Sequence, residues 1–509
     1  VPEQRDWFTV DSIKLEPREQ QPAQSAHQKD LETTGYDSVA YGDPKVSSSD
    51  EIDSFNFQSE QVNFTNPPKG LMEAVARMES YYSSCRWKIR KDFLSFDHIH
   101  EVCTWILENA GDKSPGALFL REDLPTNKDV FEKIKMAGVI SQVDDRIKQL
   151  LSSEDSRYAA DPVRLFIKRE AHKAKKIGEK RWRIIWGVSL IDQIIDRLLY
   201  MPLLQQEIKN CAEIPSKPGY NFKSGGTDRF VRKYSNGSRR WVSFDAKSFD
   251  ITCPAWALLA VRELNERLCI TTDEHLLNRW RALSQARELA SLYGSFCFSN
   301  GVVCRKVKPC IQPSGRLLTI SSNCKIVVLC RFIYDIQHGK VPQPNEIVAM
   351  GDDTVQDDVD PEEFIQWMRD QCGITFTLES KPGFFEEQNF CSMEMKRLST
   401  GVFVPVPLNW NKNSYELANP EARVAKNEDR LIENRASCLQ SLCIEYAFSD
   451  HFDELHKMLA RYCEQHHCEH HFRSRAFFQG IVAGFESSEH GKYSHPDPLI
   501  QLERAAWGG

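Results

Sequence analysis

The chain has 509 residues, 41% hydrophobic, 27% charged and 10% aromatic, which is ample for several packed cores and excludes a disulfide-stapled mini-protein, a fibrous repeat or global disorder. Its formal charge of −7 is local: residues 1–60 hold 13 Asp and Glu against 5 Lys and Arg, a balance of −8 that leaves +1 for the other 449 residues. Overall acidity therefore does not exclude a nucleic-acid partner.

No run of about 18 apolar residues occurs, so no transmembrane segment is predicted, and the first residues lack a secretory signal. Opening on Val1 rather than Met, the chain reads as a processed or trimmed product. Its 16 cysteines contain no Cys-x-x-Cys pair and read as free thiols of a reducing compartment.

Residues 1–65 are rich in Gln, Ser, Asp, Glu and Pro without a sustained apolar period, and are expected to form a flexible acidic extension. From Gly70 the pattern changes. Leu71, Ala74, Val75 and Met78 recur at helical spacing, and the folded body begins. The densest basic stretch is 164–183, with nine Lys and Arg (Arg164, Lys168, Arg169, Lys173, Lys175, Lys176, Lys180, Arg181, Arg183) against Glu170 and Glu179. Ile167, Trp182, Ile184 and Ile185 interleave with these charges. A packed basic element suited to a phosphate channel is expected there, rather than a solvated tail.

Further on, Trp241 to Phe244 alternates like a strand and ends on Asp245. Ile347 to Met350 is a short apolar strand that runs into Gly351, Asp352 and Asp353, then Thr354 and Val355. This is a tight hairpin with Gly where a two-residue turn needs positive φ, and it puts Asp352 and Asp353 at an exposed tip. Beyond about residue 415 the periods are helical. Ala436, Leu439, Leu442, Cys443 and Tyr446 trace one face, and Phe452, Leu455, Met458, Leu459 and Tyr462 another, with Ser449 and Asp450 as the candidate cap between them. The 24 residues from Glu486, with Gly491, Pro496 and Pro498, read as a loosely held tail.

Three separated segments carry the chemistry: Asp245 to Asp250, Ser314 to Asn323, and Gly351 to Asp353. An Asp-Asp pair alone is ordinary in a turn, so it is the combination that matters. Carboxylates brought together repel unless divalent cations neutralise them, and such oxygen ligands suit Mg²⁺ or Mn²⁺. Two ions can activate an attacking hydroxyl and stabilise a leaving phosphate oxygen. Thr319 and Asn323, four apart, share a helix face, and Asn both donates to and accepts from a sugar hydroxyl.

The order Asp245-x4-Asp250, Ser314-Gly-x3-Thr319-x3-Asn323 and Gly351-Asp352-Asp353 resembles motifs A, B and C of viral RNA-dependent RNA polymerases. Phe166-Ile-Lys-Arg-Glu-Ala-His172, Lys180-Arg-Trp-Arg-Ile-Ile185 and Val188-Ser-Leu-Ile-Asp-Gln-Ile-Ile-Asp-Arg197 resemble motif F of the sobemovirus, polerovirus and related sobemo-like enzymes, and Phe390-Cys-Ser392 resembles motif E. The resemblance covers about Ser114 to Ser392. Segment A departs from the plant-virus pattern at Lys247-Ser-Phe and segment B at Arg316-Leu-Leu; neither departure touches the acidic residues.

The resemblance implies an α+β right-hand polymerase with an antiparallel palm sheet: fingers over 66–240, palm with an inserted fingers segment over 241–400, and a helical thumb and tail over 401–509. It implies that Asp245, Asp352 and Asp353 hold two Mg²⁺ or Mn²⁺ ions, that Asp250, Ser314, Thr319 and Asn323 read the ribose, and that Lys168, Arg169 and Arg183 face the triphosphate. Lys381 stands where motif D places its general acid. Ser114, Pro115 and Gly116 resemble the template-guiding motif G, and Lys173, Lys175 and Lys176 are expected to grip the template. The implied partners are template and nascent RNA, nucleoside triphosphates, a viral genome-linked protein and other replication proteins, at membrane-associated complexes in the host cytoplasm.

Two weaker signals remain. Cys463, His466, His467, Cys468, His470 and His471 crowd into nine residues, but on a continuous helix they point apart, so a polar helix is expected rather than a zinc site. Tyr36 and Tyr41 have the hydroxyl needed for a covalent link to RNA, as has any tyrosine in a loose tail. Rival readings fit less well. A two-metal nuclease needs neither Asn323 nor a triphosphate-facing Lys168 and Arg183, a non-catalytic RNA-binding protein has no use for the acids, and a reverse transcriptase departs at Asn323 and Gly351.

Overall fold

In the computed structural model, which describes residues 1–11, 24–25, 40–44, 46–152, 156–418, 421–422 and 428–485, the chain builds a four-stranded antiparallel sheet in the order Ile347–Met350, Asp353–Gln356, Val242–Ala246, Phe376–Leu378. The strands are short, and most of their apolar residues, Val242, Phe244, Ile347 and Val348 among them, are fully buried. Helix Thr319–Gln337 packs on the Ile347–Met350 strand, and helices Leu71–Tyr81 and Ala255–Arg267 pack on that helix. The first of these supporting helices begins where the apolar period starts, after Gly70.

Helix Thr319–Gln337 is buried from Ser321 to Asp335, so its charges need internal partners. Lys325 pairs with Glu207, and Arg331 Nε meets Asp335 at 3.0 Å.

A second sheet of five strands has the order Phe8–Asp11, Val303–Lys306, Ser295–Cys297, Val163–Ile167, Ile184–Gly187. The basic stretch folds as the hairpin of its last two strands, with Ile167 opposite Ile184. Ile167, Trp182, Ile184 and Ile185 are buried, so the interleaved apolar residues pack the element as their spacing predicts.

The flexible extension expected over 1–65 is corrected for the residues described. Phe8–Asp11 pairs with Val303–Lys306, Phe8 opposite Lys306, and Tyr41–Gly42 pairs with His172–Lys173. Trp7, Phe8, Ile52 and Phe55 share a core with Leu165, Trp186, Phe296 and Phe298. Glu51, on helix Ser48–Ser59, is buried and accepts hydrogen bonds from Ser299 N–H (3.0 Å) and Oγ (2.6 Å). The physical reason is that three aromatic rings bury as much apolar surface as a longer periodic run, and aperiodic aromatics leave no trace in a periodicity test. Tyr36 lies outside the described residues.

After the hairpin Met393–Arg397/Phe403–Pro407, helices Trp410–Ala418, Glu428–Glu445, Phe452–His466 and Arg475–Ala483 enclose their own core, which holds Ala436, Leu439, Cys443 and Tyr446 together with Phe452, Leu455, Met458, Leu459 and Tyr462. The cap falls elsewhere than expected. His451 occupies the N-cap of Phe452–His466, and Ser449 Oγ accepts from His451 N–H at 3.2 Å, closing the turn one step earlier. The predicted tail from Glu486 lies outside the described residues.

Candidate active site

Sheet register assembles the acids. Asp245 lies directly opposite Asp353 on one side and Thr377 on the other, so two carboxylates far apart in sequence become cross-strand neighbours. Gly351, at φ 67°, makes the turn that presents Asp352. Its N–H donates to Cys324 Sγ at 3.0 Å, which docks the second turn of helix Thr319–Gln337, where Asn323 lies, against the acidic turn.

The exposed tip expected for Asp352 and Asp353 is corrected, because both are half-buried. Asp353 Oδ2 accepts the Cys391 N–H at 2.6 Å from a loop in which Cys391 and Ser392 are both left-handed. Its Oδ1 is buried with no partner among the described residues. The loop that resembles motif E thus covers the acids and orients one of them.

Burial, with the charges of Asp352 and Glu379, pushes the Asp245 carboxyl up to about 7, against the opposing pull of Lys176 and Arg183. Burial also raises Asp352, and burial with Glu379 raises Asp353 well above the usual carboxylate range. Among the described residues, none of these acids has an ion-pair partner. Clustered oxygen donors, one of them orphaned, with no basic side chain to neutralise them are a donor set that fits Mg²⁺ or Mn²⁺.

The segment beside the acids is tied together by backbone bonds. Gln312 N–H donates to Asp250 O at 2.7 Å and Gly315 N–H to Trp186 O at 3.0 Å, while Ser314 Oγ accepts from Trp186 N–H at 3.2 Å. The Trp186 indole sits beside the Asp250 carboxyl without a hydrogen bond of regular geometry. Burial raises that carboxyl to about 6, and the indole opposes the rise. Asn323 is 8% exposed, and its Oδ1 has no partner among the described residues. Thr319 differs from expectation. Its hydroxyl bonds to the carbonyls of Pro313 and Arg316, both at 2.8 Å, so its proton closes the loop instead of pointing to a sugar.

Arg316, a departure from the family pattern, is 1% exposed. It meets Asp196 (3.1 Å) on helix Leu190–Lys209 and Glu288 (2.8 Å) on helix Glu274–Tyr293, which pins the loop from two sides.

The basic hairpin lies within electrostatic reach of this site. Arg183 is exposed, and its charge pulls down Asp245, Asp250 and Asp352. Lys176, expected on the template side, also acts on Asp245. Lys168 is half-buried beside Glu170 at 3.3 Å, and burial lowers its pKa. Glu170 also meets Arg183 (3.4 Å) and Lys412 (2.9 Å). Burial would raise its carboxyl, but Lys168 and Lys412 outweigh that and hold it at about 2. Arg169 is half-buried, while Lys173 and Lys175 are exposed.

Pro115 and Gly116 are buried, with Pro115 O accepting from Leu190 N–H at 2.9 Å. Gly116 is at φ 98°, and a Cβ there would lie 2.7 Å from Ser189 Cα. This leaves half-exposed Ser114 as the accessible member of that motif. Lys381 is exposed, and no ion pair holds it among the described residues.

Sequence reasoning missed Glu379, Glu170, Trp186 and the Cys391 N–H. Glu379 stands two residues before Lys381, and Glu170 inside the basic stretch; each looked like a lone acid among many.

Residues 48–407 match the family model described as viral RNA-dependent RNA polymerase. Protein P1-P2 of Potato leafroll virus (strain Potato/Netherlands/Wageningen/1989) is 27% identical over 425 residues, covering 75% of this chain and 37% of that protein. Protein P1-P2 of Pea enation mosaic virus-1 (strain WSG) is 29% identical over 443 residues, 79% of this chain and 34% of that protein. Replicase polyprotein P2AB of Southern bean mosaic virus (isolate Bean/United States/Arkansas) is 30% identical over 337 residues, 62% and 33% respectively. The chain thus spans about a third of the length of these relatives. Among solved structures, the fold is similar to that of the Sicinivirus 3Dpol RNA dependent RNA polymerase, with a TM-score of 0.62, 13% identity, and coverage of 91% of this chain and 96% of that one.

Proposed function

Because the chain belongs to the viral RNA-dependent RNA polymerase family, we propose that it copies an RNA template by nucleotidyl transfer and replicates the genome of a positive-strand RNA virus related to poleroviruses and sobemoviruses. The observation that carries this reading is the group of half-buried acids Asp245, Asp352 and Asp353, without an ion-pair partner among the described residues and within the field of the basic hairpin. Asp245, Asp352 and Asp353 would hold two Mg²⁺ or Mn²⁺ ions, which when bound supply activation of a 3′-hydroxyl and neutralisation at the leaving phosphate.

The chain's own residues do the rest. Arg183, Lys168 and Lys176 hold the triphosphate and the charge that grows on pyrophosphate. The unpaired Asn323 Oδ1, with Asp250 and the Ser314 hydroxyl, receives the ribose hydroxyls. Lys381 donates a proton to the departing pyrophosphate, reaching the site when its exposed segment closes. Ser114, Lys173 and Lys175 line the template path. In this reading residues 66–240 are fingers, 241–400 palm and 401–509 thumb and tail, with residues 1–11 and 46–59 belonging to the fingers. No described helix is long and apolar enough to cross a membrane. The same reading has the chain work in the host cytoplasm at membrane-associated complexes with replication partners, a genome-linked protein among them.

The test is primer extension on a defined RNA template with Mg²⁺. Template-dependent products from the wild type, and none above background from Asp352→Asn, are expected. Extension by Asp352→Asn at the wild-type rate would refute the assignment, and cleavage of the template without extension would favour a two-metal nuclease.

A further inference from the structure

The Cys/His run near the C-terminus does not form the continuous helix that would scatter its ligands. Helix Phe452–His466 stops because His467 turns left-handed, at φ 53°. The Cys468 N–H then returns to Cys463 O at 3.0 Å, and a single tight turn, Glu469–His471, is closed by the His471 N–H on Cys468 O, also at 3.0 Å. The reversal sorts the six candidate ligands. Cys463 and Cys468, at 1% and 2% exposure, point into the apolar core of the helical unit, and burial lifts the Cys463 thiol to about 12. Both are thereby withdrawn as thiolate ligands.

His470 and His471 instead converge on Glu433, which lies on helix Glu428–Glu445. The two Nε2 atoms stand 3.2 and 2.6 Å from the same carboxylate oxygen, Oε2. All three ligand atoms lie within 4.8 Å of one another. His471 is held in place from behind, since Gln440 Nε2 donates to its carbonyl at 2.8 Å. The two imidazoles lie side by side with centroids 4.3 Å apart.

We propose that Glu433, His470 and His471 bind one Zn²⁺ ion. Two imidazole nitrogens and one carboxylate oxygen form a three-ligand set with an open fourth position, which water would fill. Zinc–ligand bonds of about 2.0–2.2 Å in tetrahedral geometry place ligand atoms roughly 3.3–3.6 Å apart, which these side chains reach by small rotations. Imidazole nitrogen favours zinc over Mg²⁺, so the site is chemically distinct from the all-oxygen group at Asp245 and Asp352. The ion would clamp helix Glu428–Glu445 to the turn between Phe452–His466 and Arg475–Ala483, a link between elements that binding converts into stability.

The test uses the full chain, stripped with a chelator and titrated with ZnCl₂ by calorimetry, with Co²⁺ as a spectroscopic substitute. One zinc per chain is expected, with a rise in the thermal midpoint and a Co²⁺ spectrum free of thiolate charge-transfer absorption. His471→Ala and Glu433→Gln should each weaken binding at least about tenfold, whereas Asp352→Asn should leave it intact. Glu433 is half-exposed, so Glu433→Gln tests the site even if His471→Ala folds poorly. No binding up to about 100 μM zinc, binding unchanged in both variants, a thiolate band, or binding lost in Asp352→Asn would each overturn the proposal.

Discussion

The acids Asp196 and Glu288 are buried and the acids Asp245, Asp352 and Asp353 half-buried, yet among the described residues ion pairs neutralise only the first group. Asp196 meets Arg287 and Arg316, and Glu288 meets Arg316. The second group feels the charges of Lys176 and Arg183 but forms no ion pair among the described residues. A closed network fixes geometry, because every charge already has its partner. An open one stores repulsion that an added cation relieves. The first group holds the Ser314–Asn323 segment in place, and the second is left for a cation to neutralise in the proposed reaction.

Breaking the closed network should have the largest effect on the fold. Arg316→Met removes the only ion-pair partner of Glu288 among the described residues and leaves that carboxylate buried. A loss of about 3–5 kcal/mol is expected, measured by denaturant unfolding. An unfolding midpoint equal to that of the wild type would mean that the pair holds nothing in place.

The open group should respond the other way. Asp245→Asn should cut nucleotide incorporation by at least about 10²-fold without weakening the fold. The folded carboxyl titrates near 7, above the ordinary value of an unfolded Asp. The folded state therefore holds more protons across that window, and stability falls as pH rises through it. Removing the charge should raise the thermal midpoint of the metal-free protein at pH 8, on the order of 1–3 °C. A clearly lowered midpoint would show that Asp245 serves the fold as Asp196 does.

The smallest effect sharpens the boundary between the two regions. Trp186 touches both the Asp250 carboxyl and Ser314, and Trp186→Phe keeps a ring while deleting the indole N–H. Its backbone bond to Ser314 survives, so kcat should hold while the kcat/KM preference for NTP over dNTP drops about tenfold. An unchanged preference would detach Trp186 from sugar reading.

The two acidic segments, at Asp245 and at Asp352, were legible because strand ends and a Gly turn carry local signals. Their register was not: nothing in the sequence places Asp245 opposite Asp353 rather than one residue away. That the basic stretch packs was legible from Ile167, Trp182, Ile184 and Ile185, which interleave with its charges; that it pairs as a hairpin was not. Arg316 looked like a departure because its neutralising partners are 120 and 28 positions upstream. Glu170 was invisible for a similar reason, since Lys412, which it meets, lies 242 positions away. The N-terminal residues were misread because Trp7, Phe8 and Phe55, too sparse in the sequence to show a period, pack together against rings from distant segments.

The central claim is that the open acids await divalent ions, and counting those ions tests it most directly. With Mn²⁺ titrated into the full chain in the presence of a nucleotide that binds without transferring, about two ions per chain are expected, and Asp245→Asn should lose at least one. Equal Mn²⁺ stoichiometry and affinity in the wild type and Asp245→Asn would contradict the account.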